Sequence, residues 1–184
     1  LGLIPTVAPY LLPEILPAFA KRLPNLHFAV SEGKTDRLMT ALHDGEIDCA
    51  VIATAAEGAG FSGAQLFADP FVLAVEKGSP LPDPVTLAEI PRENVLLLEE
   101  GHCLRDQMVD ACALKPDLQG RTFAATSLST ILELVANGYG VTLLPTISLR
   151  SEQRNPRIAI RSLAAPGAAR LLRLAWRNGA PQAE

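Results

Sequence analysis

The run TDRLMTALHDGEIDCAVIA, residues 35–53, changes its periodicity once, and that change decides the fold class. Thr35 to His43 sets Leu38, Met39 and Leu42 on one face at helical spacing. Gly45 follows and fits the stop with which many helices end. Cys49-Ala50-Val51-Ile52-Ala53 is then apolar without interruption, as in a strand covered on both faces. An amphipathic helix feeding a doubly covered strand predicts an α/β architecture.

The same alternation extends in both directions. Upstream, Leu1–Ile4 reads as a strand. Tyr10–Leu23 reads as a helix carrying Leu11, Leu12, Ile15, Leu16, Phe19 and Leu23, and His27–Val30 as a second strand. Pro13 falls early, where proline is tolerated, whereas Pro17 argues against a straight helix. Downstream, a loose stretch at 55–60 precedes strands at Gln65–Ala68 and Phe71–Val75, and the Pro-rich 77–84 reads as a loop. Val95–Leu98 is an apolar strand, and Leu104–Leu114 a helix ended by Pro116. Arg121–Ala125 reads as a strand and Ser127–Asn137 as a helix closed by Gly138 and Gly140. Val141–Leu144 and Leu171–Trp176 are the last strands. Asp69-Pro70 suits a hinge between two lobes, with the final strand crossing back to the first.

Bulk properties narrow the function. The 184 residues are 48% hydrophobic and 20% charged, enough to bury a core. A net charge of −4 argues against this chain gripping nucleic acid by itself, which takes clustered Lys and Arg. Three cysteines do not make a disulfide scaffold, and an odd count fits a reducing, cytoplasmic compartment. The chain opens without Met, basic leader or membrane-length apolar run, which predicts a fragment of a longer protein with no membrane association. His27, His43 and His102 lack ligand spacing and there is no Cys-x-x-Cys, so no metal is expected. No glycine-rich phosphate loop is present, and no cofactor is expected.

The chemistry concentrates in Glu99-Glu100-Gly101-His102-Cys103-Leu104-Arg105-Asp106-Gln107, after an apolar strand and at the start of a helix. Free N–H groups and partial positive charge at a helix N-terminus favour thiolate over thiol, so Cys103 reads as a reactive cysteine. His102 and Arg105 can add positive charge, and Glu99-Glu100 can oppose it. Cys112 lies nine residues on. In an unbroken helix that spacing is about 13.5 Å of rise and about 900° of turn, far beyond the roughly 4.4–6.8 Å between Cα atoms that a disulfide needs. The plain alternative is two ordinary cysteines packed as small hydrophobes. Cys49, inside its apolar strand, reads as core. A Cys103/His102 hydrolase is disfavoured, because neighbours on a turn rarely point at each other.

These residues carry a resemblance. Gly101-His102-Cys103-Leu104-Arg105-Asp106-Gln107 with Cys112 resembles the redox segment of the hydrogen-peroxide-sensing LysR-type transcriptional regulators. Gly2-Leu3-Ile4-Pro5-Thr6-Val7, Pro9-Tyr10-Leu11-Leu12-Pro13, Ala125-Thr126-Ser127-Leu128, Gly140-Val141-Thr142-Leu143-Leu144-Pro145 and Trp176-Arg177 fit as well, over essentially the whole chain. The cysteine segment is specific, whereas Gly-Val-Thr-Leu-Leu-Pro is shared across LysR-type regulators. The resemblance implies a two-lobed α/β regulatory domain similar to periplasmic binding proteins. One lobe would hold residues 1–69 with 173–184 and the other 70–172, with the effector cleft between them.

It further implies that Cys103 is oxidised by hydrogen peroxide to a sulfenic acid and that Cys112 then closes a disulfide which switches conformation. Thr6, Thr35, His102 and Asp106 would form the peroxide pocket, and Arg177 would support the thiolate. Two hydroxyls can both donate to and accept from a small peroxide. Position 122 departs from the family: enterobacterial members have a histidine before Phe123, and here Thr122 stands there, so no network relying on that imidazole carries over. The family's N-terminal winged helix-turn-helix, which binds DNA, is not among these residues. Its members form homodimers through this domain and tetramers at full length. Three rivals stand beside this reading. They are a LysR-type domain binding a small organic effector in the same cleft, a thiol peroxidase, and a periplasmic solute-binding protein.

Overall fold

The computed structural model describes residues 1–56, 60–114, 125–152 and 154–179. The chain divides into two compact units, Leu1–Ala68 with Leu171–Glu184, and Asp69–Arg170.

The first unit is built on β1 (Gly2–Leu3), β2 (Ser31–Glu32), β3 (Cys49–Ile52) and the far part of β7 (Ala169–Arg177). β1 runs parallel to both β2 and β3, and β7 closes the group antiparallel to β3, with Cys49 opposite Trp176 and Ile52 opposite Arg173. Parallel neighbours need crossovers, supplied by α1 (Ala8–Arg22) and α2 (Thr35–Asp44). α2 forms as its spacing predicts: Leu38 and Leu42 are fully buried, and Gly45 ends the helix at φ 75. With Leu3, Ile4, Val7, Ala50 and Ile52 they make the core of this unit. Each such aliphatic side chain contributes roughly 1.5–3 kcal/mol on burial.

α1 is one helix, as its spacing predicts, and runs on through Pro13 and Pro17. Pro9, Pro13 and Pro17 recur every fourth residue and all three are exposed. The carbonyls left without partners therefore lie on one stripe that water can satisfy. The expected strand His27–Val30 is displaced to Ser31–Glu32. Pairing starts only at the end of that segment, where the Leu1 amino group donates to Ala29 O at 2.9 Å and the Ser31 N–H to Leu1 O at 2.9 Å. Cys49 departs from the core reading as well: it is half-buried.

In the second unit β4 (Phe61–Glu76) pairs antiparallel with β5 (Thr142–Pro145) and β6 (Ile158–Arg161). β4 is one strand where two were expected, since Pro70 occupies a position whose N–H the ladder does not need. Val95–Leu98 is not a regular strand. It makes single parallel bridges, Val95 to Val141 and Leu98 to Ala125, yet Leu96 and Leu98 are almost wholly buried. The close approach depends on Gly140, where a Cβ would sit 2.1 Å from the Asn94 carbonyl oxygen. α3 (Cys103–Ala111), α4 (Leu128–Ala136) and the short α5 (Leu149–Glu152) complete the unit. Ser127 caps α4, its Oγ accepting from the Thr130 N–H at 3.2 Å. β6 and α5 had no clear sequence signal, and of the expected strand Arg121–Ala125 only Ala125 falls within the described residues. Thr122 lies outside them.

A buried ion pair marks where β4 and β7 enter this unit. Asp69 Oδ2 accepts from Arg170 Nε at 3.0 Å, and Oδ1 accepts from Thr146 Oγ1 at 2.9 Å and the Ile147 N–H at 3.0 Å. Both side chains are essentially inaccessible to solvent. The carboxylate is thus matched by donors, as a buried charge must be.

Candidate functional site

The site begins with the turn into α3. Gly101 takes φ 85, which reverses the chain after the buried 95–98 segment. His102 is the N-cap residue in extended conformation, and its carbonyl accepts the Arg105 N–H at 2.9 Å to start the helix. Leu104, Met108 and Cys112 then recur every fourth residue on the buried face. Cys103 precedes that stripe by one residue and is half-buried, while Cys112 is 1% exposed. One helix therefore carries a partly accessible thiol at its N-terminus and a sealed thiol at its C-cap, and neither is in a disulfide.

Electrostatics separate the thiols. Burial pushes Cys112 up from an ordinary 9.0 to about 11, with the positive charge of Arg92 a smaller opposing influence. At neutral pH it is a protonated thiol and a poor nucleophile. Burial also raises Cys49. Cys103 instead stands where the free N–H groups of α3 converge.

Three neighbours of Cys103 have defined places. Arg105 is buried and its Nη1 donates to Leu98 O at 3.1 Å, tying the first turn of α3 to the 95–98 segment. The buried His102 lies with Nε2 3.8 Å from Glu99 Oε1, an ion pair only when the imidazole is protonated. Asp106 is exposed in the first helical turn. The second unit thus assembles His102, Cys103, Asp106 and Cys112 on one turn and helix.

Thr6, Thr35 and Arg177 belong to the other unit. Leu3 pairs with Glu32, so Thr6 and Thr35 each lie three residues past a paired position, at the carboxyl ends of adjacent parallel strands. That is the edge where open α/β sheets bind ligands. Thr6 is buried, and the Thr35 Oγ1 is buried with no hydrogen-bond partner among the described residues. Such an oxygen costs free energy unless a ligand or water meets it. Arg177 is exposed, and its Nη1 donates to His43 O at 3.3 Å, at the C-terminus of α2 where a cation is favoured. The Asp69–Arg170 pair has no local signal, since its partners are 101 residues apart.

A two-unit α/β frame with hydroxyls at strand ends and a cysteine at a helix start defines the class. The chain belongs to the LysR substrate-binding-domain family, whose model matches residues 1–184. A probable hydrogen peroxide-inducible genes activator of Mycobacterium avium is 41% identical over 186 residues, spanning 97% of this chain and 58% of that protein. The DNA-binding transcriptional dual regulator OxyR of Escherichia coli K12 is 36% identical over 183 residues, spanning 98% and 60%. The chain thus spans about 60% of the length of these relatives. Among solved structures, the reduced OxyR regulatory domain of Pseudomonas aeruginosa superposes with a TM-score of 0.89 at 32% identity, covering 98% of this chain and 88% of that one. A hydrogen-peroxide-bound mutant of Corynebacterium glutamicum OxyR gives 0.90 at 31%, covering 97% and 57%.

Proposed function

We propose that this chain is the redox-sensing regulatory domain of a hydrogen-peroxide-inducible transcription regulator. The observation that carries the reading is the pair of thiols, neither in a disulfide, at opposite ends of α3, one half-buried at its N-terminus and one sealed at its C-cap. The names of the relatives point the same way.

Cys103 as thiolate attacks one peroxide oxygen. The O–O bond breaks, hydroxide leaves, and Cys103 becomes a sulfenic acid. Cys112 then displaces water from that sulfur and closes the disulfide. Two thiols and one peroxide give one disulfide and two waters. Because α3 holds the sulfurs apart, the bond forms only when the helix unwinds, and oxidation becomes a conformational signal. Thr6 and Thr35 hold the peroxide, with His102 and Asp106 beside the thiol, and Arg177 supports the thiolate. Each event is stoichiometric and needs a separate reductant to reset, so the domain acts as a switch and not as an enzyme.

In the whole protein, a winged helix-turn-helix outside this chain contacts DNA, and copies associate as dimers and tetramers in the cytoplasm, where thiols are kept reduced. The functional lobes are residues 1–69 with 173–184, and 70–172.

The test is mass spectrometry with peptide mapping after one equivalent of hydrogen peroxide at neutral pH, on the native chain and Cys103→Ser. A bond between Cys103 and Cys112 within seconds, absent from the variant, is the expected result. Unchanged thiols, or slow oxidation shared with Cys49, refute the reading and favour a small organic effector.

A further inference from the structure

Helix α3 ends in an unusual way. The Ala113 N–H bonds to Asp110 O at 3.1 Å and the Leu114 N–H to Val109 O at 2.9 Å. With Cys112 as C-cap, this is the paired 5→2 and 6→1 pattern of a Schellman stop. The residue after the C-cap must take left-handed backbone, and here it is Ala113 at φ 46, the one non-glycine with positive φ among the described residues. The left-handed residues that end α2 and follow α4 are Gly45 and Gly138, both at φ 75. Left-handed backbone disfavours an L side chain by about five- to thirtyfold (~1–2 kcal/mol at ~1.4 kcal/mol per decade).

The other end of α3 is pinned. Leu104 is fully buried, and the buried Arg105 donates to Leu98 O at 3.1 Å. The Arg105 bond ties the N-terminal turn to the 95–98 segment, so opening from the C-terminal end is the route that carries Cys112 toward Cys103.

We propose that Ala113 is a built-in weak point of α3, whose left-handed backbone lowers the cost of unwinding the helix from its C-terminus and so sets how readily Cys112 reaches the oxidised Cys103. The proposal rests on the redox reading above. Hydrogen peroxide is the oxidant. It converts the Cys103 thiolate to a sulfenic acid with loss of hydroxide, and the strain acts only on the following step, where the Cys112 sulfur displaces water. A glycine at 113 keeps the stop and removes the strain, though its freedom in the unwound chain takes back part of the gain.

The experiment compares the native chain with Ala113→Gly. Glycine suits the left-handed backbone, so the variant folds. After one equivalent of peroxide, sulfenic acid trapped at Cys103 with a 1,3-dione should form at the native rate, and the disulfide about fivefold more slowly. In the Cys103→Ser background, where no disulfide can form, hydrogen exchange at the Leu114 amide should be about fivefold slower with glycine at 113. If either the disulfide step or the Leu114 exchange is unchanged, the proposal is overturned. A native chain that forms no bond between Cys103 and Cys112 takes the redox reading down with it. A native chain that does, at a rate glycine leaves alone, removes only the role of Ala113.

Discussion

Raising the pH should unfold the reduced domain by a route that runs through Cys112. Its thiol is held at about 11 in the folded chain against an ordinary 9.0. The folded state therefore keeps the proton more tightly than the unfolded state. The associated stability is complete below pH 9 and is lost as pH climbs toward 11. Each unit of difference is worth about 1.4 kcal/mol. Linkage then gives a loss of about 1 kcal/mol by pH 10 and about 2 kcal/mol by pH 11. Other groups titrate in this range, so the measurement is a difference. Urea denaturation of the native chain and of Cys112→Ala would be followed under reductant from pH 7.5 to 11. The alanine variant is less stable at neutral pH because it leaves a small cavity, but its stability should fall less steeply. The gap between the two curves should narrow by about 2 kcal/mol. A gap constant with pH would refute the burial argument. It would also remove the reason for expecting Cys112 to resist alkylation at neutral pH while Cys103 reacts.

Two further outcomes follow from contacts already described. Thr35→Val removes a buried hydroxyl oxygen that has no hydrogen-bond partner among the described residues, so the melting temperature should hold or rise while the second-order rate of Cys103 with peroxide falls at least tenfold. A fall in melting temperature with an unchanged rate would assign Thr35 to folding alone. Asp69→Asn discharges one partner of the buried pair with Arg170 and should cost about 3–5 kcal/mol in urea denaturation, whereas Asp69→Asn with Arg170→Met together, which removes both charges and keeps an acceptor for Thr146 and Ile147, should cost less. Equal losses in the two variants would show that the cost does not come from an unpaired charge.

What was legible in the sequence was whatever a local pattern encodes. The helix at 35–44 followed from Leu38 and Leu42 at helical spacing and Gly45 at its end, and the strand at 49–52 from an unbroken apolar run. The helix starting at Cys103 followed from the strand-to-turn change at Gly101. The errors share a cause. His27–Val30 and Val95–Leu98 have strand composition, but a strand is defined by its partner's bonds. The structure gives them only isolated ones, to Leu1, Val141 and Ala125. Pro17 argued against a straight helix and Pro70 marked the start of a strand, yet each lies inside a continuous element because at both places the missing N–H is dispensable.

The site divides along the same line. Cys103, His102 and Asp106 are close in sequence, so placing one turn and one helix brings them together, although Asp106 was singled out only by the family resemblance. That Cys112 is sealed follows from Leu104 and Met108 standing four residues apart on the same stripe, a pattern present in the sequence once the helix is placed correctly. The left-handed Ala113 could not be read that way, because alanine gives no sign of positive φ and only the bonds to Val109 and Asp110 reveal it. The feature proposed to set how readily α3 opens is thus the one least visible in composition. A residue suited to its backbone makes a firm stop, as Gly45 does for α2, and a residue that tolerates it poorly makes a releasable one. If Cys103 and Cys112 act as proposed, α3 needs the second kind.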